Sequence, residues 1–397
     1  MTIADRWLLP DGVEELLPEQ AGRVEALRRR LLDLYASWGY ELVIPPLIEY
    51  TESLLVGLGH DIDIQTFKVV DQLSGRSMGI RADITPQTAR IDAHSLNREG
   101  AVRLCYAGSV LHTRPKTLMA SRSPIQIGAE LYGDGGLGSD IEIISLMLET
   151  LHCSGIRDIT LDLGHVGIYR ALVEQADIDA EAEQALFDAL QRKAGAEISA
   201  AIDSGIGDAP VAAMMKALST LNGDVSILAQ ARELLAAAPA PVATYIDDLE
   251  RVATVISRRM PGVNLYFDLS ELRGYHYHTG LVFAALAPGH GQAVANGGRY
   301  DHIGEVFGRA RPATGFNTDL KALLGYLPSE AAVTDTSIFA PDDSVLSAEQ
   351  ADSLWDTVKS LRAAGECVIC GLSGEGDKPG FSRYLAWESG SWQVKSR

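Results

Sequence analysis

Cysteine, cationic charge and long apolar runs are all scarce in this chain. Four cysteines in 397 residues are too few for a disulfide framework. The single close pair, Cys367-Val-Ile-Cys370, lies in an apolar, β-branched stretch that reads as strand; a zinc site would need more soft ligands nearby, and no metal is expected. No run of about 18 apolar residues could cross a bilayer. The opening Met1 to Trp7 is too short and too charged for a signal peptide, so a cytoplasmic location is expected. Lys and Arg number 34 against 53 Asp and Glu, a net charge of −19. A polyanion such as tRNA would meet net repulsion unless basic residues cluster on one face, and the balance points to a protein or small-molecule partner.

What the chain has is a hydrophobic content of 46%, enough for a large core and, at this length, two or three domains. Val24, Leu27, Leu31 and Leu34 recur at helical spacing between Pro18 and Ser37, ended by Gly39. Tyr40-Glu-Leu-Val-Ile44 reads as a strand stopped by Pro45-Pro46. Thr66 to Val70 and Ser77 to Arg81 form a predicted hairpin about Ser74-Gly75. Strands follow at 101–109 and 125–132, then a helix from Asp140 to His152.

From Arg170 to Arg259 the texture becomes Ala- and Leu-rich and helical; residues 166–260 carry 14 acidic against 8 basic side chains, a net of −6. Strand texture returns at 264–268, at 280–285 and just before Gly297-Gly298, closed by an apolar helix over 320–327. After a polar linker comes a small βαβ-like unit with Ser347 as helix N-cap, then a hairpin around Glu388-Ser-Gly390. The fold class is α+β: a core over 1–165 and 261–327, a helical insertion over 166–260, and a small α/β unit over 328–397.

Five segments carry the chemistry: Gly39-Tyr-Glu-Leu-Val-Ile-Pro-Pro-Leu-Ile-Glu49, Arg81-Ala-Asp-Ile-Thr85, Gln126-Ile-Gly-Ala-Glu130, Arg273-Gly-Tyr-His-Tyr277 and Gly297-Gly-Arg-Tyr-Asp301. In this order they resemble histidyl-tRNA synthetase over residues 5 to 327. The resemblance implies a class II synthetase-like antiparallel sheet flanked by helices, dimerising through the segment containing Pro45-Pro46. It also places a histidine pocket on Asp83, Gln126, Glu130, Arg273, Tyr277, His278 and Tyr300. Asp83 and Gln126 suit an α-ammonium, Glu130 an imidazole N–H, and Arg273 a carboxylate. His278 stands where the family has a tyrosine.

The nucleotide half of the pattern is altered. Activating an amino acid calls for cationic groups on the ATP phosphates. Where the family has a Phe-Arg-x-Glu-Arg-Pro stretch this chain has Gly108-Ser-Val-Leu-His-Thr-Arg-Pro115, putting Leu111 or His112 at the arginine position. Arg122 is kept, but the adenine-stacking phenylalanine becomes Pro124. In Gly315-Phe-Asn-Thr-Asp-Leu-Lys-Ala-Leu323, Ala322 replaces the phosphate-binding arginine, Lys321 points from the wrong side of the helix, and Asp319 replaces glycine.

Leu104-Cys-Tyr-Ala-Gly-Ser-Val-Leu-His-Thr-Arg-Pro115 is similar to the synthetase-like regulatory subunits that accompany short-form ATP phosphoribosyltransferases. That resemblance implies a chain with no catalytic residues and no cofactor, partnered by a catalytic short-form subunit and by a second copy of itself. It implies histidine as feedback effector, and neither tRNA nor membrane as partner. The rival is a histidine–tRNA ligase or another ATP-dependent paralogue. The bland alternatives are Arg273 as a surface cation, Glu130 as a solvated strand residue, Asp83 as a helix-start cap, and His276 and His278 as metal ligands sharing a strand face.

Overall fold

The computed structural model describes residues 7–55, 60–115, 120–275, 277–327, 337–372 and 381–396. The linker reading after Pro328 and the His276 half of the metal reading lie outside them. The chain divides into two compact units, with the boundary after Leu327.

In the first unit the strands run in chain order β1 (Glu41–Leu42), β2 (Ile48–Tyr50), β3 (Phe67–Val70), β4 (Ser77–Ile80), β5 (Val102–Ser109), β6 (Ile125–Tyr132), β7 (Ile159–His165), β8 (Asn222–Gly223), β9 (Val263–Asp268), β10 (Leu281–Leu286), β11 (Ala295–Arg299) and β12 (Ala313–Asp319). Nine of them form one sheet in the order β1-β5-β6-β12-β11-β10-β7-β9-β8, while β2, β4 and β3 form a small separate one. The large sheet is antiparallel except at β1–β5 and β7–β9.

Helix Pro18–Ser37 starts with proline in its first turn, where the missing N–H is no loss, and buries Val24, Leu27, Leu31 and Tyr35. It packs on helix Leu137–Cys153, which is apolar on most of its surface because it lies between that helix and the sheet. Helices Val166–Ala176, Ala180–Gln191, Gly195–Gly205, Ala209–Leu218, Ser226–Leu234 and Ala240–Arg259 follow. Their buried residues, among them Leu172, Leu190, Met215 and Ile256, join Leu31, Met147 and Phe316 in one continuous core. The helical stretch even supplies an edge strand, since β8 pairs with β9.

Three local expectations change. The strand expected over Tyr40–Ile44 shrinks to Glu41–Leu42, because Val43 onward turns toward Pro45-Pro46. Gly297 and Gly298 lie inside β11 rather than after it. Residues 273–275 and 277 lie in turns and His278 lies outside any strand, so His278 has no strand face to share with a second ligand.

The second unit holds β13 (Ile338–Ala340), β14 (Val368–Cys370), β15 (Arg383–Glu388) and β16 (Ser391–Ser396), with helix Ala348–Ala363 between β13 and β14. β13 and β14 are parallel, as a βαβ connection requires, and β15–β16 is a hairpin. Ser347 and Gln350 form a reciprocal capping box. Ile338, Leu354, Val358, Val368, Leu385 and Trp392 make this unit's own core. Cys367 and Cys370 are free thiols at β14.

Candidate functional site: a glycine-floored cavity

Cross-strand register explains why a cavity opens on the large sheet. Glu130 on β6 pairs with Gly315 on β12, which pairs with Gly298 on β11, then Val282 on β10 and Gly164 on β7. Paired residues present their side chains on one face, so three glycines in this row leave a trough. The neighbouring row, Asn317, Asn296, Ala284 and Asp162, supplies a polar floor. A cavity of about 580 Å³ lies here, within the roughly 300–1,000 Å³ of small-molecule sites. Asp83, Glu130, Arg273, Tyr277, His278 and Tyr300 line it.

Glu130 is the buried centre of the site, at 1% exposure. Its Oε1 accepts hydrogen bonds from Thr85 Oγ1 and Tyr106 OH, both at 2.9 Å, and its Oε2 accepts one from Tyr300 OH. The Tyr300 ring stacks on Tyr277 with centroids 4.8 Å apart, and the buried Tyr277 hydroxyl has no partner among the described residues. The site thus offers aromatic faces beside a carboxylate held by three hydroxyls, which suits a flat heterocycle bearing an N–H.

Burial pushes the Glu130 carboxyl from its ordinary 4.5 up to about 8, against the pull of the Tyr300, Thr85 and Tyr106 hydroxyls. A carboxyl that holds its proton more tightly when folded makes stability fall as pH rises between those two values. Burial lowers His278 to about 4 and His165 to about 3 from 6.5; the stability those rings contribute is lost only below pH 6.5. Between pH 6.5 and 8, therefore, the unfolding free energy of the unliganded protein is expected to fall by at most about 1.4 kcal/mol per pH unit. Glu130→Gln should flatten that slope. Urea titrations at the two ends of the window test this, and a wild type as flat as the variant would refute it.

Asp83 sits at the cavity edge, where its Oδ1 accepts from Thr85 N–H and from Gln126 Nε2, both at 2.9 Å. Asp83 is not the cap of helix Thr85–Arg90, whose N-cap is Ile84 with no side-chain cap; it makes a local contact just before the helix and stands on the cavity wall. Gln126, 8% exposed, lies behind Asp83 rather than on the wall. Its Oε1 accepts Ile84 N–H at 2.8 Å, so its amide positions Asp83 from beneath.

Gly274 takes a left-handed φ of +66°, and its carbonyl accepts the N–H groups of Tyr277 and His278 at 2.8 and 2.7 Å. The turn places His278 with Nδ1 3.0 Å from the Arg273 carbonyl. A carbonyl only accepts, so the neutral ring carries its hydrogen on Nδ1. Arg273 itself is exposed and pairs with Glu271, Nη2 to Oε2 at 3.2 Å.

The positions that would grip a triphosphate are otherwise engaged. His112 is 4% exposed, its Nε2 2.9 Å from the Ala82 carbonyl. Arg122 donates to the carbonyls of His112 and Asp11 at 3.0 and 2.8 Å. Lys321 Nζ is 3.2 Å from Ser123 Oγ and 3.3 Å from Glu14. Asp319 accepts the N–H groups of Ile125 and Lys321, each at 3.0 Å, capping the short helix Leu320–Leu323.

Several wall residues escaped the sequence reading. Thr85 and Tyr106 hold Glu130 but carry no family signature by themselves. Asp162 and Glu271 line the cavity, as do Gln184, Phe187 and Asp188 of helix Ala180–Gln191. Asp162 had a legible signal: it is the one charged residue in the apolar strand Ile159–His165. Burial raises it to about 6, with Asp268 and Glu271 adding to the shift.

Glycine-floored antiparallel strands beneath a buried Glu–Tyr–Tyr cluster define a class II, histidyl-tRNA synthetase-like module, and the histidyl-tRNA synthetase family model matches residues 12–323. The model of the ATP phosphoribosyltransferase subunit HisZ C-terminal domain matches residues 335–395. The ATP phosphoribosyltransferase regulatory subunit of Thioalkalivibrio sulfidiphilus is 56% identical over 98% of both chains. The chain belongs to the family of ATP phosphoribosyltransferase regulatory subunits. Among solved structures, an ATP phosphoribosyltransferase regulatory subunit/histidyl-tRNA synthetase from Bacillus halodurans superposes with a TM-score of 0.81 at 26% identity, covering 94% of each chain. A chain of the Thermotoga maritima ATP phosphoribosyl transferase (HisG:HisZ) complex shares the fold at a TM-score of 0.58 and 17% identity, covering 77% of this chain and 98% of that one. Among the described residues no helix is long and apolar enough to cross a membrane, and no cluster of metal-ligating side chains occurs.

Proposed function

We propose that this chain is the histidine-sensing, non-catalytic subunit of a two-component ATP phosphoribosyltransferase, working in the cytoplasm at the first step of histidine biosynthesis. The observation that supports it is a contrast: an aromatic, carboxyl-lined cavity lies open, while His112, Arg122 and Lys321, at or beside the positions the resemblance assigns to phosphate binding, are tied to backbone carbonyls or to neighbouring side chains. ATP and phosphoribosyl pyrophosphate then belong to a catalytic short-form partner, a reading supported by the HisG:HisZ pairing of the Thermotoga maritima complex. Histidine would place its imidazole against Glu130, Tyr277, His278 and Tyr300, its ammonium at Asp83 with Gln126 behind, and its carboxylate at Arg273. Feedback requires that histidine bind two conformations unequally, and the Arg273 guanidinium, exposed at the cavity rim, is the group whose position would differ between them.

A self-dimer through the Pro45-Pro46 segment is supported by the exposed apolar side chains of Leu42, Ile44, Leu47 and Ile48. The charge of −19 argues against tRNA as a partner. Calorimetric titration of histidine into the chain, alone and mixed with the catalytic subunit, is expected to show saturable binding. The chain alone is expected to give no histidine-dependent exchange between pyrophosphate and ATP. Absence of histidine binding in both samples would remove the sensing role, and formation of histidyl-adenylate would return the chain to ligase chemistry.

A further inference from the structure

Among the described residues lining the cavity, Arg273 is the one Lys or Arg; Asp83, Glu130, Asp162, Asp188 and Glu271 are all carboxylates. The neighbouring Lys193 is held at 2.6 Å by Asp268 and at 2.9 Å by Ser270 Oγ. A ligand carboxylate entering here therefore has one cation to seek, and that cation is already engaged. Glu271 Oε2 lies 3.2 Å from Arg273 Nη2, while Oε1 accepts the Arg273 backbone N–H at 2.7 Å. The pair is lopsided: the Glu271 side chain is 19% exposed and that of Arg273 45%. Glu271 is thus the fixed member, its carboxylate tied to the turn, and the Arg273 guanidinium is the member with room to swing.

We propose that Glu271 is an internal competitor for the carboxylate subsite, occupying Arg273 until a ligand carboxylate displaces it, and so setting the affinity of the site. The inference rests on the histidine reading above and adds a residue whose role that reading does not need. Displacement leaves the Glu271 charge without its cation beside Asp162, whose inner oxygen Oδ1 has no partner among the described residues. Carboxylate-bearing ligands meet this opposition and carboxylate-free ones do not. The result is a site held below its maximal affinity, which keeps it responsive over a range of ligand concentration instead of permanently filled.

The test is calorimetric titration of the full-length protein with histidine and with histamine, which keeps the imidazole and the amine and lacks the carboxylate. Glu271→Gln retains an acceptor for the Arg273 N–H while removing the charge, so the turn is kept. It is expected to bind histidine about two- to fivefold more tightly, the range of an exposed ion pair, and histamine no more tightly than wild type. In an Arg273→Met background the same change is expected to do nothing. Unchanged or weaker histidine binding in Glu271→Gln, or equal tightening for both ligands, would overturn the proposal while leaving histidine sensing intact. A wild type that binds no histidine overturns the underlying reading, and this inference with it.

Discussion

Replacing Gly315 by alanine is expected to weaken histidine binding by about tenfold, the upper weight of one net hydrogen bond. A Cβ at this position would overlap the Glu130 carboxylate across the β6–β12 pair and lie 2.9 Å from the Ala129 carbonyl. Glu130 would have to leave the Tyr300, Thr85 and Tyr106 hydroxyls that fix it. Overpacking a tight core also costs about 1–3 kcal/mol of stability. The double variant Gly315→Ala, Glu130→Ala separates the two effects: removing the carboxylate relieves the clash, so the stability losses should add to less than their sum. Strict additivity in urea unfolding would show that Glu130 does not fill the space above Gly315.

Arg311→Ala is expected to be the more damaging to the fold, lowering unfolding free energy by about 3–5 kcal/mol, the usual cost of leaving one member of a buried ion pair alone. Arg311 Nη1 donates to both oxygens of Asp92, at 2.9 and 3.1 Å, and to the Arg98 carbonyl at 3.0 Å. Arg311 is 8% exposed and Asp92 1%. Burial already raises the Asp92 carboxyl, and the Arg311 guanidinium is what chiefly opposes it. The pair ties the entry of β12 to the helical turn Ile91–Leu96, which continues the helix Thr85–Arg90; loosening it would also disturb Thr85 beside Glu130. Asp92→Leu combined with Arg311→Met, which removes both charges, should recover most of the loss. A shift of the urea midpoint at unchanged slope is the readout. A loss under about 1 kcal/mol would mean that water reaches the pair.

The strands and helices were largely legible because their periodicities are strong. The hairpin β3–β4, the pair β5 and β6, and the Ser347-capped helix all follow from alternation, turn residues and caps that act locally. The site was legible differently: its ordered motifs pointed to Glu130, Tyr300 and Arg273, and spacing alone would not have brought them together. What stayed hidden depends on long-range register. That Gly297-Gly298 lies inside a strand follows from its pairing with β10 and β12, not from its own preferences. That Gln126 props Asp83 instead of facing the cavity is a matter of side-chain direction after folding. The contribution of Gln184, Phe187 and Asp188 could not be read because helical spacing does not say which neighbouring element a helix face meets, even for the buried Phe187. The Glu271–Arg273 pair forms at the start of a turn between the strands expected at 264–268 and 280–285, a segment to which the sequence assigned no element.

Asp319 has a consequence beyond its own helix. Its carboxylate joins β6 to the helix after β12 through two backbone N–H groups, so a glycine there would give up a few tenths of a kcal/mol of helix capping and would also leave the Ile125 N–H without its acceptor. The start of β6 and the start of that helix are therefore fastened by one side chain. A position that a phosphate chemistry would keep small thus serves here as a clasp between two elements, and removing it would be felt at both.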